Sequence, residues 1–204
     1  LTSSAASDVY KRQILIISLF SFLLILWIAK NRKFETTDSV SDAYDTWTND
    51  RILENLWGEH IHLGYYHNQR KLGDFREAKA TFVHELVKWS GLDKLPKGSK
   101  VLDVGCGIGG SSRILSEYYG FEVIGITISA EQVGRARELT KSSLNCTFRQ
   151  MDAMNLQFPD NEFDGIWSVE AGPHMPDKQK YADEMLRVLK PNGYLGVADW
   201  NSRD

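Results

Sequence analysis

The sequence contains little cysteine and little proline, and neither sign of charge dominates it. Cys106 and Cys146 are the two cysteines among 204 residues, far apart and without a C-x-x-C pair. This excludes a disulfide framework and a cysteine-based zinc site, and it fits a reducing, cytoplasmic-type compartment. Five prolines and 16 glycines exclude a collagen-like or wholly disordered chain. The net charge is −3, with the acidic excess after residue 33, so we expect no nucleic-acid partner.

Long apolar runs are also scarce, since only residues 14–29 form one. As a helix this run spans about 24 Å, slightly short of a hydrocarbon core of about 30 Å. We expect residues 14–33 to be a membrane anchor, because the basic flank after the run can reach the headgroups. A buried core helix and a cleaved signal peptide are the alternatives, although no small-residue cleavage site follows the run. The positive-inside rule then puts the rest of the chain on the cytoplasmic side. The flank consists of Lys30, Arg32 and Lys33.

Local composition suggests three further boundaries. Residues 1–13 include DVYKRQ, which resembles a translated library-preparation sequence, so we expect them to be non-native. Residues 34–98 are rich in Tyr, Trp and His and are expected to form a helical lid region. Residues 99–204 are expected to form a core that is incomplete at its C-terminus. Helical patterns within the lid region cover 42–48, 52–57 and 74–90.

From residue 99 onward, short apolar runs alternate with amphipathic segments. Strands at this spacing, joined by helices, imply right-handed crossovers and a parallel sheet covered on both faces. The predicted fold is therefore α/β, a Rossmann-like doubly wound sheet. The predicted strands cover 100–104, 121–127, 146–150, 163–170 and 194–200, and the predicted helices cover 111–119, 130–140 and 177–190.

A glycine-rich loop follows the first predicted strand. In VLDVGCGIGGSS, Gly105, Gly107 and Gly110 satisfy G-x-G-x-x-G, the fingerprint of dinucleotide-binding turns. Glycines let the backbone turn tightly near a ligand, and the next helix N-terminus attracts an anionic group. A nicotinamide dinucleotide usually needs an acidic residue at the end of the second strand, where this sequence has Thr127. A glycine turn without any ligand is the remaining alternative.

A different ligand fits Asp103, which lies two residues before Gly105. The D-V-G-C-G-I-G pattern is typical of class I methyltransferases that use S-adenosylmethionine (SAM). The amino-acid end of SAM presents an ammonium group to a carboxylate, and this contact is charge-assisted. SAM is therefore the predicted cofactor.

Further donor contacts are expected where the second and third strands end. Asp152 and Ala153 follow the third strand, where the adenine amine would be recognised. The Thr127 hydroxyl can bind the ribose, and Glu131 or Gln132 can reach over from the next helix or remain solvated in its first turn. Cys106 is interpreted as a small filler within the loop. The predicted donor site comprises Tyr44, Tyr65, Asp103, Gly105, Cys106, Gly107, Gly109, Thr127, Gln132, Asp152 and Ala153.

Longer motifs resemble a narrower family. VLDVGCGIGGSSRIL, GITISAEQVGRA, FDGIWSVEAGPHMPDK and LKPNGYLGVADWN, together with AYDTWT and WGEHIHLGYY, are similar to the prenylquinol C-methyltransferases of tocopherol and plastoquinone synthesis. The likeness is strongest to the cyanobacterial 2-methyl-6-phytylhydroquinone enzymes, and it covers residues 14–204. It implies SAM-dependent C-methylation of a membrane-resident prenyl hydroquinone carrying a phytyl or solanesyl tail. Gamma-tocopherol methyltransferases share much of the pattern.

The resemblance also implies a general base, because methylating an aromatic carbon requires loss of a hydroxyl proton and a ring proton. Glu170 and His174 lie just past the fourth predicted strand, at the edge where open α/β sheets place ligands. We expect His174 to be the base and Glu170 to orient it or bind the acceptor. The alternative is that His174 merely caps its proline-flanked loop.

Aromatic residues of the lid region are expected to cover the donor and to form an apolar mouth for the tail. They are Tyr44, Trp47, His60, His62, Tyr65 and Tyr66. Packing of helices on the sheet is the preferred interpretation for Trp47 and Trp57. No metal is expected, because the two histidines lack a third clustered ligand.

Three other functions remain open from the sequence. A class I methyltransferase for another small hydrophobic or amine acceptor, of the sterol or phosphoethanolamine type, would share the donor motifs. A nicotinamide-dependent oxidoreductase would share the glycine loop, but Asp103 and Thr127 argue against it. A module that binds the donor without catalysis would show no acceptor turnover.

Overall fold

A computed structural model of the chain describes residues 37–66 and 74–200. The expected anchor at 14–33 and the expected non-native stretch at 1–13 lie outside the described residues. Across the two described ranges, no helix is both long and apolar enough to cross a membrane.

Five parallel strands form one sheet in the order β3-β2-β1-β4-β5. β1 (Lys100–Val104) is central, with β2 (Glu122–Thr127) and β3 (Cys146–Gln150) on one side and β4 (Phe163–Val169) and β5 (Leu189–Ala198) on the other. The strands that follow β1 are first added on one side of it and then, from β4 onward, on the other side, so the strand order reverses between β1 and β4. The predicted doubly wound α/β fold is confirmed, and ligands of such sheets bind at the carboxyl ends beside this point.

Helices pack on both faces because side chains of the central strands alternate between them. On one face, α3 (Phe75–Ser90) and α4 (Gly110–Tyr119) pack on a core that includes the fully buried Trp167. On the other face, α6 (Lys178–Val188) packs on a second apolar core. α5 (Ala130–Leu139) packs beside β3 in a smaller cluster. The predicted helices therefore occupy the expected places.

Two short helices precede α3. α1 (Thr37–Asn49) starts five residues before its predicted start, and α2 (Ile52–Trp57) has the predicted bounds. The earlier start of α1 brings in Val40, which is buried and lies one turn before Tyr44 on the same side of the helix. We call residues 37–66 the cap and residues 58–65 the cap loop.

The last strand also starts earlier than predicted. Pairing begins at Leu189, opposite Phe163, and resumes at Tyr194 opposite Gly165 after a shift in register. The turn at Pro191-Asn192-Gly193 lies inside this irregularity, with Asn192 at φ 65°. The strand therefore continues across a turn that local sequence signals would place between elements.

Candidate active site

The glycine loop, residues 105–109, turns sharply where β1 ends. The backbone N–H groups of Gly105 and Cys106 both donate to Ile126 O (2.9 Å each), which fixes the loop against β2. Gly105 has φ +77°, and a Cβ there would lie 2.5 Å from the Cβ of Ala171. Only glycine suits this positive φ and close contact. Gly107 and Gly109, two predicted donor contacts, also have positive φ.

The third glycine of the fingerprint contacts the cap. A Cβ at Gly110 would lie 2.5 Å from Glu59 O and 2.9 Å from His60 Nδ1. The cap loop therefore packs directly on the N-terminus of α4. Packing within the protein is therefore enough to require glycine at position 110. The motif alone could not show this packing.

Arg113 links the glycine loop to the cap, a role that the sequence did not reveal. Its side chain is buried and donates to Ile108 O (2.8 Å) and to the Glu59 carboxylate (2.7 Å). The partners are 54 residues apart in the chain, so no local pattern announces the pair.

Asp103 lies beneath the glycine loop and is 2% exposed. Its carboxylate accepts a hydrogen bond from the Ser112 hydroxyl (2.6 Å) of α4. Burial raises the pKa of Asp103 to about 7, although the Ser112 hydrogen bond and nearby Arg113 act to lower it. The carboxylate thus ties β1 to α4, and its contact with a ligand ammonium stays a prediction.

Thr127 and Gln132 are brought together at the carboxyl end of β2. The Thr127 hydroxyl donates to Gln132 Oε1 (2.6 Å), and both residues are buried. Because this bond occupies the amide oxygen, the Gln132 amide nitrogen keeps its two donors for other partners. Of the two expected partners on α5, Gln132 lies against Thr127 while Glu131 is exposed, and ribose binding by Thr127 and Gln132 stays a prediction.

A carboxylate from the cap also reaches this edge. Asp45 of α1 accepts hydrogen bonds from the Ser129 hydroxyl and from Glu131 N (3.4 Å). Ser41, one turn earlier, donates to Ile128 O (3.3 Å). The start of α5 is thereby bound to α1, and the sequence had assigned no role to Asp45.

The remaining predicted donor residues have mainly local contacts. Asp152 Oδ1 accepts from Met154 N (2.8 Å), and Ala153 is buried in the core under α6. Cys106 packs with apolar residues of α5 and β3, and burial raises its thiol pKa well above the usual value. Tyr65 is 45% exposed, and its backbone N–H donates to Ala78 O (2.9 Å) in α3.

The structure brings the predicted base into contact with the cap. His174 lies in a short 3-10 turn, Gly172–His174, after β4. The Tyr44 hydroxyl of α1 is 3.0 Å from His174 Nε2, and the two rings meet edge to face. A predicted donor residue and the predicted base therefore form one pair.

Glu170, the other predicted acceptor-side residue, lies between the cap loop and the end of β4. Its Oε1 accepts from Leu63 N (3.0 Å), and its backbone has the unusual φ of 54°. Such backbone conformations in non-glycine residues concentrate at functional sites. Burial raises the pKa of Glu170 above its ordinary value, with the Leu63 N–H opposing this shift.

A small, partly open cleft with a cavity volume of about 20 Å³ lies between the cap, the glycine loop and α5. Its wall is mostly apolar, with the Gln132 amide and the Glu54 carboxylate among the polar groups. A mostly apolar cleft with a few polar groups is typical of small-molecule sites. It is lined by Tyr44, Trp47, Thr48, Glu54, Gly58, Ile61, Ile108 and Gln132.

The two cap-loop histidines contact each other. His60 Nδ1 lies 3.2 Å from His62 Nε2, and His62 Nδ1 lies 2.7 Å from Leu63 O. Since a carbonyl only accepts, His62 Nδ1 carries a proton, and His60 Nδ1 donates to His62 when both rings are neutral. Burial lowers the pKa of His60 to about 3 and of His62 to about 4. Across the described ranges, no three His, Cys, Asp or Glu side chains group as metal ligands.

Comparison with known proteins shows the family of the chain. Residues 102–197 match a family model described as a methyltransferase domain. The chain is 58% identical over 179 residues to the 2-methyl-6-phytyl-1,4-hydroquinone methyltransferase of Synechocystis, covering 88% of this chain and 56% of that protein. It is 39% identical over 163 residues to the chloroplastic tocopherol O-methyltransferase of Arabidopsis thaliana, covering 75% and 47%. The chain thus spans about half the length of these relatives.

Solved structures show the same fold. The crystal structure of the [4+2]-cyclase SpnF superposes with a TM-score of 0.72 and 31% identity, covering 80% of this chain and 60% of that one. A cyclase with this fold means that the architecture alone does not decide the reaction. The family model and the sequence relatives show that the chain belongs to the class I SAM-dependent methyltransferases.

Proposed function

We propose that the complete protein transfers a methyl group from SAM to a ring carbon of a prenyl hydroquinone of the 2-methyl-6-phytyl type. The observation that carries this proposal is the Tyr44–His174 pair, which couples the cap to the turn after β4 beside the donor cleft. The 58% identity to the Synechocystis enzyme supports the choice of acceptor.

The donor would lie over the glycine loop and under the cap. SAM supplies an electrophilic methyl group on a sulfonium. The backbone around Gly105 and Gly107 allows close approach of its amino-acid end, and Gln132 offers amide donors to the ribose hydroxyls. Orientation of the donor and the acceptor in a mostly apolar site supplies much of the acceleration of a methyl transfer.

His174 would receive the proton of the acceptor hydroxyl at Nε2. The Tyr44 oxygen already lies at hydrogen-bond distance from this atom. When the Tyr44 hydroxyl donates to Nε2, this nitrogen carries no proton and can accept one. A substrate hydroxyl that bonds to the Tyr44 oxygen can pass its proton to Tyr44 while Tyr44 passes its own proton to His174. Loss of this proton raises electron density on the ortho ring carbon, which attacks the methyl group while the bond between that methyl group and sulfur breaks and the demethylated donor leaves. The ring proton of the methylated carbon then passes to solvent, which restores the aromatic ring, and the phenolate regains its proton from His174.

The acceptor implies a lipid partner and a membrane location. A prenyl hydroquinone resides in the bilayer, so the proposal includes an anchor at residues 14–33 and catalysis on the cytoplasmic side. The apolar run and its basic flank support it.

A tocopherol methyltransferase is the second candidate, favoured by the 39% identity to the Arabidopsis enzyme. The test uses the protein from the complete gene, purified in detergent, with SAM labelled in its methyl group. The acceptors are 2-methyl-6-phytylhydroquinone, gamma-tocopherol and a water-soluble phenol. We expect label in the first alone. Label only in gamma-tocopherol would replace the first proposal with the second, and label in none would reject both.

A further inference from the structure

The turn that carries His174 is held from two sides by charged side chains. On one side, the Lys178 ammonium donates to Gly172 O (3.1 Å) and to Met175 O (3.3 Å). On the other side, Asp199 Oδ1 accepts from Gly172 N (3.2 Å). The N–H and C=O groups of Gly172 are therefore both hydrogen-bonded, which fixes the backbone of the turn that carries His174.

Asp199 lies directly after β5, and strand pairing fixes its position. β4 and β5 pair in parallel through Val169↔Ala198, and Glu170 N donates to Ala198 O (2.7 Å). The residue that follows each strand is an acid, Glu170 after β4 and Asp199 after β5. Glu170 binds the cap loop through Leu63 N, whereas Asp199 binds the turn through Gly172 N.

The close fit at Gly172 supports a positioning role. A Cβ at this residue would collide with the Asp199 carboxylate. The φ of Gly172 does not require glycine, so the carboxylate itself excludes a side chain. The absence of a side chain at Gly172 therefore makes room for the carboxylate of Asp199.

We propose that Asp199 is a positioning residue for methyl transfer, which holds the Gly172–His174 turn so that His174 Nε2 meets the Tyr44 hydroxyl. The inference rests on the proposed function, in which His174 takes a proton. Asp199 acts on the turn through the Gly172 N–H, and His174 remains the group that moves the proton.

The test compares Asp199→Asn with Asp199→Ala in the protein from the complete gene. Asparagine keeps an acceptor oxygen for Gly172 N, whereas alanine removes it. We expect Asp199→Ala to lower kcat about tenfold or more, because misplacing a catalytic group costs one to two orders of magnitude. The dissociation constant for SAM should be unchanged, and Asp199→Asn should recover most of the turnover. Asp183→Ala is the control, since this acid is exposed on α6 and bonds within its own helix.

A second measurement is independent of the acceptor. The chain has five histidines, so the imidazole ¹⁵N resonances of His174 can be assigned by comparison with His174→Asn. Tyr44→Phe gives the position of the His174 Nε2 resonance without the Tyr44 hydroxyl. We expect Asp199→Ala to shift the resonance towards that position and Asp199→Asn to leave it unchanged.

An unshifted resonance in Asp199→Ala would overturn the proposal. Equal loss of kcat in both Asp199 variants would also overturn it, as would loss of SAM binding alongside turnover. If no prenyl hydroquinone is methylated, the proposed function fails, while the resonance still decides whether Asp199 places His174.

Discussion

Single residues in this protein derive their roles from neighbours that are distant in the chain. Gly110 is the clearest case, because the atoms that exclude a side chain there belong to Glu59 and His60 of the cap loop. The same loop is bound to Arg113, whose guanidinium also holds the glycine loop. Contacts of this kind build the predicted donor site from both the sheet and the cap.

Gly110→Ala should therefore weaken SAM binding by about tenfold or more and lower the free energy of unfolding by about 1–3 kcal/mol, the usual range for overpacking. Titration calorimetry with SAM and urea unfolding would measure the two effects. Gly134→Ala is the matched control, since an added Cβ in α5 meets no atom within 4 Å. That change should stabilise the helix by about 0.5–1 kcal/mol. Equal effects of the two variants would refute the close packing at Gly110.

Tyr44→Phe removes the hydroxyl that contacts His174 Nε2 while keeping the ring contact. We expect kcat to fall about tenfold, equivalent to about 1.4 kcal/mol, with a change in SAM affinity of less than threefold. Steady-state kinetics with labelled SAM would measure both values. Tyr118→Phe, which removes the hydroxyl of a tyrosine that is 66% exposed, should leave turnover unchanged. Unaltered kcat in Tyr44→Phe would remove the pair from the mechanism.

At the residue scale, the sequence predicted candidate residues but not the contacts between them. It singled out Tyr44, His174 and the glycine loop, because aromatic, imidazole and glycine residues are distinctive in such motifs, and their catalytic and binding roles stay predictions. It assigned no role to Arg113 or Asp45, since such residues on a helix usually indicate a solvated surface. Their partners lie 54 and 84 residues away, a separation that no local pattern encodes.

Among the structural elements, the cap loop depends on buried polar groups. Lys79 of α3 is 2% exposed, and its ammonium donates to Trp57 O (2.6 Å) and His60 O (2.8 Å). The same ammonium lies 4.1 Å from the centre of the Trp57 ring. Burial lowers the pKa of Lys79 to about 8. α3 thus holds the cap loop through the Lys79 side chain. The two hydrogen bonds of the Lys79 ammonium are the main compensation for its burial.

Lys79→Met keeps the length of the side chain but leaves two carbonyl oxygens without this donor. The free energy of unfolding should fall by about 1–3 kcal/mol, the cost of an unsatisfied buried group. Lys88→Met on the same helix removes an exposed ion pair with Glu85 and should change stability by less than about 0.5 kcal/mol. Urea unfolding of both variants checks the difference, and equal values would mean that Lys79 does not support the loop.

The two cap-loop histidines predict a defined dependence on pH. Their pKa values of about 3 and 4 in the folded chain lie below the ordinary 6.5, so the unfolded chain binds more protons between these limits. Their contribution to stability is present above pH 6.5 and is lost as pH falls towards 3–4. Asp103 acts in the opposite direction, because its raised pKa makes the folded chain bind more protons between about 4 and 7.

The histidine contribution can be isolated by comparing the wild type with the double variant His60→Asn, His62→Asn. The difference in unfolding free energy between these proteins should decrease as pH falls from 7 to 4, since Asp103 is common to both. Urea unfolding at each pH gives this difference. A constant difference would show that the histidines are not buried in neutral form.

The bounds of the elements show where sequence patterns suffice. β1 and β3 have the predicted bounds. An apolar run between turn signals defines β1 as a buried strand, whereas β3 is mostly polar and only Phe148 in it is buried. β5 does not have the predicted bounds, since pairing of Leu189 with Phe163 draws residues before the Pro191-Asn192-Gly193 turn into the sheet. Tertiary pairing thus overrides a local turn signal.

On the scale of the whole molecule, α1 connects the two halves of the sheet edge. Ser41 and Asp45 bind the segment between β2 and α5, while Tyr44 binds the turn after β4. These residues are spaced at helical intervals, so one short helix reaches both sides of the point where strand order reverses. The sequence predicted the sheet and its ligand edge, but it could not show that α1 crosses this edge.

A ligand that fills the space under α1 should stabilise the whole fold. SAM at 100 times its dissociation constant should raise the free energy of unfolding by about 2.7 kcal/mol. NADH at the same concentration should have no effect, because the β2 edge carries Thr127 in place of an acidic residue. Thermal unfolding with each ligand tests this expectation. Protection by NADH and not by SAM would favour the oxidoreductase interpretation.

The bond between Tyr44 and His174 has a consequence for the sequence of events in one turnover. Since α1 lines the cleft and is hydrogen-bonded on both sides of it, we expect the donor of the proposed reaction to bind first and the demethylated donor to leave last. In that order, the demethylated donor should compete with SAM but not with the hydroquinone.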